Sequence, residues 1–172
     1  MLVESAASKY ALEPVLQEYR VRASAMRGQA SRSLPANEVM PVLLDNPDVP
    51  VLAVVDLGKG GGDIETSARD RLRAMTGRAA DWRVVALTDQ QVIDHAIPRV
   101  PRRDNREKNG PLRMVAETEA LGATVLRGIV ASELADLLPE PLVSVHGRER
   151  AKQDELLAAL APPHPPCDDV PA

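Results

Sequence analysis

The run Val51-Leu-Ala-Val-Val55 constrains the fold more than any other part of this chain. It is short, continuous and rich in β-branched residues, the pattern of a strand buried on both faces of a parallel sheet. A strand with one wet face would interleave polar residues. The run stops at Asp56, passes through four glycines and a lysine (Gly58 to Gly62), and enters "DIETSARDRLRAM". There Ile64, Ala68, Leu72 and Met75 recur along one side of a helix. Strand, glycine loop and helix in succession form the repeating unit of α/β sheets. With no Phe, one Trp (Trp82) and two Tyr (Tyr10, Tyr19), the core must be built from Val, Leu, Ile and Ala, which suits such a sheet.

The flanking segments carry the same alternation. "MLVES" reads as a short strand ending at Glu4, and "SKYALEPVLQEYR" as a helix capped by Ser5 or Ser8, with Tyr10 and Tyr19 at core-facing positions. "VRASAM" predicts a second strand, followed by a loop holding Arg27, Gly28, Ser31 and Ser33, then a short helix from about Asn37 to Leu44. "WRVVAL" is a further strand, and "TDQQVIDHA" a short helix that Thr88 caps. After the loop "IPRVPRRDNREKNGP", "LRMVAETEAL" reads as extended through Glu119, and two helices follow, separated by Pro139 and Pro141. The expected architecture is α/β: a mostly parallel sheet flanked by helices over residues 1–138, a C-terminal helix over 139–161, and a disordered proline-rich tail over 162–172.

Composition removes several functions. A net charge of −4 argues against non-specific coating of nucleic acid, and the scarcity of aromatics against single-strand binding by base stacking. Cys167 is the single cysteine, so neither a disulfide framework nor a thiolate metal site is possible. His95, His146 and His164 have no metal-ligand spacing. No segment is apolar for long enough to span a membrane, and no signal peptide is evident, so a cytoplasmic location is expected.

The glycine stretch fits neither common nucleotide motif. A phosphate loop of the G-x-x-x-x-G-K-[ST] type needs a lysine after its glycines and a hydroxyl after the lysine; Lys59 precedes three of the glycines and Gly60 follows it. In G-x-G-x-x-G the third glycine would fall on Asp63. What remains is Asp56 at the carboxyl end of a parallel strand, facing the crevice where α/β sheets bind ligands, with Glu4 ending the first strand in the same way. Two such carboxylates suit Mg²⁺, which prefers oxygen ligands. Asp63 and Glu65 are placed in the first helical turn, where the helix dipole accounts for them.

The order "LVES", helix, strand, "VVDLG…GDIE", helix, "VVALTDQQV" resembles the Toprim domain shared by topoisomerases, bacterial primases, OLD-family nucleases and the topoisomerase VI A subunit with its meiotic relatives. "VAETEAL" and "LLPEPL" followed by a charged helix are also similar to uncharacterised bacterial Toprim-related proteins. The resemblance spans roughly Met1 to Leu160. It implies a Rossmann-like sheet, a catalytic Glu4 acting as general acid/base, and Asp56 as a Mg²⁺ ligand. The second acid of the family's Asp-x-Asp is replaced by Gly58. An acidic E-x-D-A-L segment of the topoisomerase VI type is matched by Glu117-Thr-Glu119-Ala-Leu. In an extended segment Glu117 and Glu119 would share a face and could add to the metal site.

The implied activity is Mg²⁺-dependent processing of DNA, by phosphodiester cleavage or topoisomerase-related chemistry. Arg99, Arg102, Arg103, Arg106 and Lys108, in a loop with few acids, are the candidates for holding the nucleic-acid backbone. The family's attacking tyrosine lies on a separate upstream winged-helix domain, and Tyr10 and Tyr19 do not replace it. The resemblance therefore implies a fragment, a chain that works with a protein partner or as a homodimer, or a cleavage that uses water. The alternative is a catalytically degenerate Toprim domain that binds DNA or a protein without turnover.

Overall fold

The computed structural model describes residues 1–26, 39–103, 110–138 and 140–160. Four strands, β1 (Leu2–Val3), β2 (Ser24–Ala25), β3 (Val51–Val54) and β4 (Trp82–Ala86), form one sheet in the order β2-β1-β3-β4. All its pairings are parallel. α1 (Ala6–Glu18) joins β1 to β2, α2 (Met40–Asp45) precedes β3, and α3 (Lys59–Thr76) joins β3 to β4. Beyond the sheet come α4 (Asp89–Asp94), an antiparallel ribbon of β5 (Val100–Arg102) and β6 (Arg113–Val115), a 3-10 turn over Thr118–Leu121, α5 (Gly122–Leu137) and α6 (Leu142–Leu160).

The strand order reverses direction between β1 and β3. The chain leaves β1 towards one edge and β3 towards the other, so the connecting helices lie on opposite faces and diverge at that seam. This is the topological switch point at which open α/β sheets form a crevice beyond the carboxyl ends of their strands.

The period-two alternation of a strand divides the core between two faces. Val3, Leu52 and Val54 pack with Leu12, Val15 and Leu16 of α1 and with Leu126, Val130 and Leu134 of α5. Leu2, Val51 and Val55 pack with Leu43 of α2 and with Ala68 and Leu72 of α3. Arg127 Nε also donates to the Ala11 carbonyl at 2.6 Å, tying α5 to α1. Every residue of β3 is buried, as its uninterrupted apolar sequence requires. α6 buries none of its residues. Among the described residues, no helix is long and apolar enough to cross a membrane.

Four local expectations change. The glycine stretch is not a loop: α3 begins at Lys59 and contains Gly60, Gly61 and Gly62, so Asp63 and Glu65 are not in its first turn. Asp63 pairs instead with Lys59, and Glu65 with Arg69, one turn apart on the helix surface. Tyr10 is 73 % exposed, because the buried stripe of α1 runs through Ser8, Leu12, Val15 and Leu16 on the opposite side. Tyr19 does pack against the core. The segment expected to be extended through Glu119 ends at Ala116, and Glu119 lies in the 3-10 turn. Finally, the basic loop contributes a strand, with Val100, Pro101 and Arg102 opposite Val115, Met114 and Arg113. Thr88 caps α4 as expected, with Gln91 completing the capping box.

Candidate active site at the carboxyl ends of the strands

Glu4 and Asp56 follow adjacent strands at the switch point, and the main chain brings them together. The Glu4 N–H donates to the Val54 carbonyl at 2.7 Å, extending the β1–β3 ladder by one residue. Its side chain then turns along the sheet, and Oε2 accepts the Asp56 N–H at 2.8 Å. Glu4 is 2 % exposed and Asp56 9 %. Carboxylates this deep are costly unless hydrogen-bonded. For Asp56 the compensation comes from the other side of the crevice: Oδ1 accepts both the Thr118 N–H (2.9 Å) and the Thr118 hydroxyl (3.1 Å).

Thr118 is brought there by β6. Leu57 and Ala116 exchange both main-chain hydrogen bonds at 2.9 Å, so the chain leaving β3 is stitched to the end of the ribbon. The chain then tightens into the 3-10 turn, and the neighbouring acids diverge. Glu117 forms an ion pair with Arg102 of β5. Glu119 reaches the start of α1, where Oε1 accepts the hydroxyls of Ser5 (2.6 Å) and Ser8 (3.2 Å). Ser5 is also the N-cap of that helix, accepting the Ser8 N–H at 3.0 Å. A carboxylate at this helix end is favoured by the dipole. Glu117 and Glu119 therefore do not share a face as strand neighbours would. They fix the 3-10 turn at two points on either side of Thr118.

Gly58, where the resemblance expects an acid, has φ +143°, and a Cβ there would lie 3.1 Å from Val115 Cγ2 and 3.4 Å from the Met114 carbonyl oxygen. The ribbon thus closes over the position. Gly58→Asp is expected to cost about 1–3 kcal/mol through the strained backbone and the displaced ribbon, without restoring a ligand. A urea titration of both proteins, with cation binding measured alongside, checks this.

Of the basic residues, Arg102 belongs to the ribbon whose β6 strand borders Gly58. Arg102 stands directly opposite Arg113, which the sequence reading did not single out, and opposed residues of a ribbon share a face. Val115, two residues on, belongs to that face and borders Gly58. Like charges in register repel; the Glu117 carboxylate on Arg102 offsets part of this. Arg99 pairs with Asp89 of α4, and Arg103 is exposed. Arg106 and Lys108 lie outside the described residues, as do Arg27, Gly28, Ser31, Ser33, His164 and Cys167.

The donors are all hard oxygens, the chemistry Mg²⁺ requires. Among the described residues, no three His, Cys, Asp or Glu side chains come close enough to cage an ion. Magnesium can also be held by one or two carboxylates while keeping its waters and taking its remaining ligands from substrate phosphates; Asp56 and Glu4 are the residues that would hold it in that way. Asp56 is the more accessible of the two strand-end acids, and Glu4 supports it from beneath. Besides Arg113, the sequence reading missed Thr118 and the clasp of Ser5 and Ser8 on Glu119. Ser5 was legible as a cap; nothing in the sequence marked Thr118 except its place between two acids. Comparison with protein-family models, curated proteins and solved structures finds no match to this chain.

Proposed function

We propose that the chain is a Toprim-like module that binds Mg²⁺ at Asp56 and acts on phosphodiesters of DNA, by hydrolytic or topoisomerase-related strand cleavage. The observation that carries this reading is the placing of two buried acids, Glu4 and Asp56, at the ends of adjacent strands at the switch point of a parallel sheet, with the Glu4 carboxylate accepting the Asp56 main-chain N–H. When bound, magnesium supplies neutralisation of phosphate charge and polarisation of the reacting phosphoryl group. Asp56 is the ligand, held at its main chain by Glu4 and at its side chain by Thr118. Glu4 is the general acid/base by resemblance. Arg102, Arg103 and Arg113, exposed on or beside the ribbon, orient the backbone of the nucleic acid and contribute a salt-dependent part of its affinity.

A second reading is favoured by Gly58. With no side chain at that position and Glu4 almost fully enclosed, the site has fewer reachable acids than the resemblance requires. A module that binds DNA or a protein partner without cleaving fits those two facts.

One experiment separates them. Supercoiled plasmid is incubated with the protein and its Asp56→Asn variant in Mg²⁺ or Mn²⁺, and nicking and binding are both scored. The first reading expects metal-dependent nicking that Asp56→Asn abolishes. Plasmid binding without nicking in either metal, unchanged in Asp56→Asn, sinks it in favour of the second.

A further inference from the structure

We infer that α6 is a self-association surface: two copies of this chain pair through their α6 helices, antiparallel and in one register. The inference is independent of any chemistry at the crevice. α6 runs for 19 residues, buries none of them, and adds no side chain to either core cluster of the described residues. Helical stability in proteins comes chiefly from packing an apolar face, and Gly147 inside this helix weakens it further. α6 therefore needs a partner. It has apolar surface to offer one: Leu156, Leu157 and Leu160 are 58, 66 and 80 % exposed.

At about 100° per residue, those three leucines, Leu142 and Val145 fall within an arc of about 120°. Leu142 and Leu160 lie on one line, about five turns apart. The apolar residues thus occupy both ends of one face, with Glu149 and Gln153 at its centre. Such a face matches a reversed copy of itself. With Leu142 set against Leu160 of the second copy, Val145 meets its Leu157, and Glu149 meets its Gln153 as acceptor against donor.

Charge decides the direction and the occupant. Along this helix Arg148, Arg150 and Lys152 come first, and Asp154 and Glu155 follow. A parallel pair would set each of these charges beside its own copy and bring the two Glu149 carboxylates together in the seam. Reversal places Arg150 beside Asp154 of the second copy on one flank, and Arg148 beside its Glu155 on the other. Lys152, nearest the twofold axis, then faces the other copy's Glu149. Opposite charges flanking an apolar seam select partner and orientation between helices, and by symmetry each pair occurs twice. Arg148 also holds Glu140 of its own chain, which keeps it on its flank. A foreign helix would have to carry this same order of leucine, base, acid and leucine. The second copy carries it already.

The test is the mass of the full chain in solution, by sedimentation equilibrium at concentrations up to about 100 µM. The parent should be a dimer at the top of that range. The Leu156→Glu, Leu160→Glu double variant should associate more than about 100-fold more weakly, since the dimer buries each leucine twice. Ala158→Glu adds the same charge on the far side of the same turn and should leave the dimer intact. Arg150→Asp and Asp154→Arg should each weaken association about 10-fold. Combined, they recreate the pair between antiparallel copies and should restore the parent's affinity. A parent that stays monomeric overturns the inference. In that case a lower melting temperature in the double leucine variant assigns the face to this chain itself, and an unchanged one to a different protein. A dimer that survives loss of the leucines, that Ala158→Glu also dissolves, or that the charge swap fails to restore overturns it equally. Should the double leucine variant fail to fold, the single charge variants and their combination read the same interface.

Discussion

Gly61→Ala is expected to prevent the domain from folding stably, whereas Gly62→Ala, one residue further on, should raise its melting temperature. A Cβ at Gly61 would lie 2.0 Å from the Asp56 carbonyl oxygen and 2.9 Å from its carbonyl carbon. Both are main-chain atoms of the strand exit, so no rotamer change relieves the clash. Either α3 moves off the sheet or Asp56 moves off Glu4. We expect a loss of more than about 3 kcal/mol, at the upper end of overpacking effects because the obstacle is backbone. A Cβ at Gly62 meets nothing within 4 Å, and the position is helical. There the change lowers the conformational entropy of the unfolded chain, worth about 0.5–1 kcal/mol. Thermal denaturation followed by circular dichroism reads both. Equal effects in the two variants would mean that the glycines are interchangeable helix residues and that the close approach of α3 to Asp56 is wrong.

Asp56→Ala should destabilise the fold by about 2–3 kcal/mol even with no cation present, because it leaves the Thr118 N–H and hydroxyl buried without their acceptor. Thr118 is too enclosed for water to replace it. Asp56→Asn keeps an oxygen in the same place and should cost under about 1 kcal/mol while still eliminating the charge. Chemical denaturation of the three proteins checks the order. The pair matters for the functional assay too, since a loss of nicking in Asp56→Ala alone would mix unfolding with chemistry. If Asp56→Ala is as stable as the parent, the Asp56–Thr118 link contributes nothing to the fold, and the carboxylate is not oriented as described.

Much of the fold was legible from local pattern. Val51 to Val55 could only be an enclosed strand, and the helices α1, α3, α4 and α5 follow from apolar spacing and from caps at Ser5 and Thr88. The acids ending β1 and β3 were legible for the same reason, because a charged residue after a buried run marks where the chain leaves the core. Less was legible wherever a residue's conformation is set by a distant partner. The glycines read as a loop because three in a row are poor helix formers. They are helical nonetheless, and of the three Gly61 is the one that lets α3 start this close to the strand it follows. Glu117 and Glu119 read as strand neighbours because "RMVAETEAL" has strand composition, yet the chain turns at Thr118, where Asp56 supplies the acceptor from 62 residues away.

The sequence alone determined the class of the fold, the parallel character of its sheet and the identity of the two strand-end acids, since hydrophobic period and residue type act over a few neighbours. Tertiary structure alone decided that β1 and β3 are adjacent at the switch point, that the ribbon closes over Gly58, and that Thr118 meets Asp56. Those outcomes depend on contacts between residues tens of positions apart, whose energies are felt only once the helices have packed on both faces of the sheet.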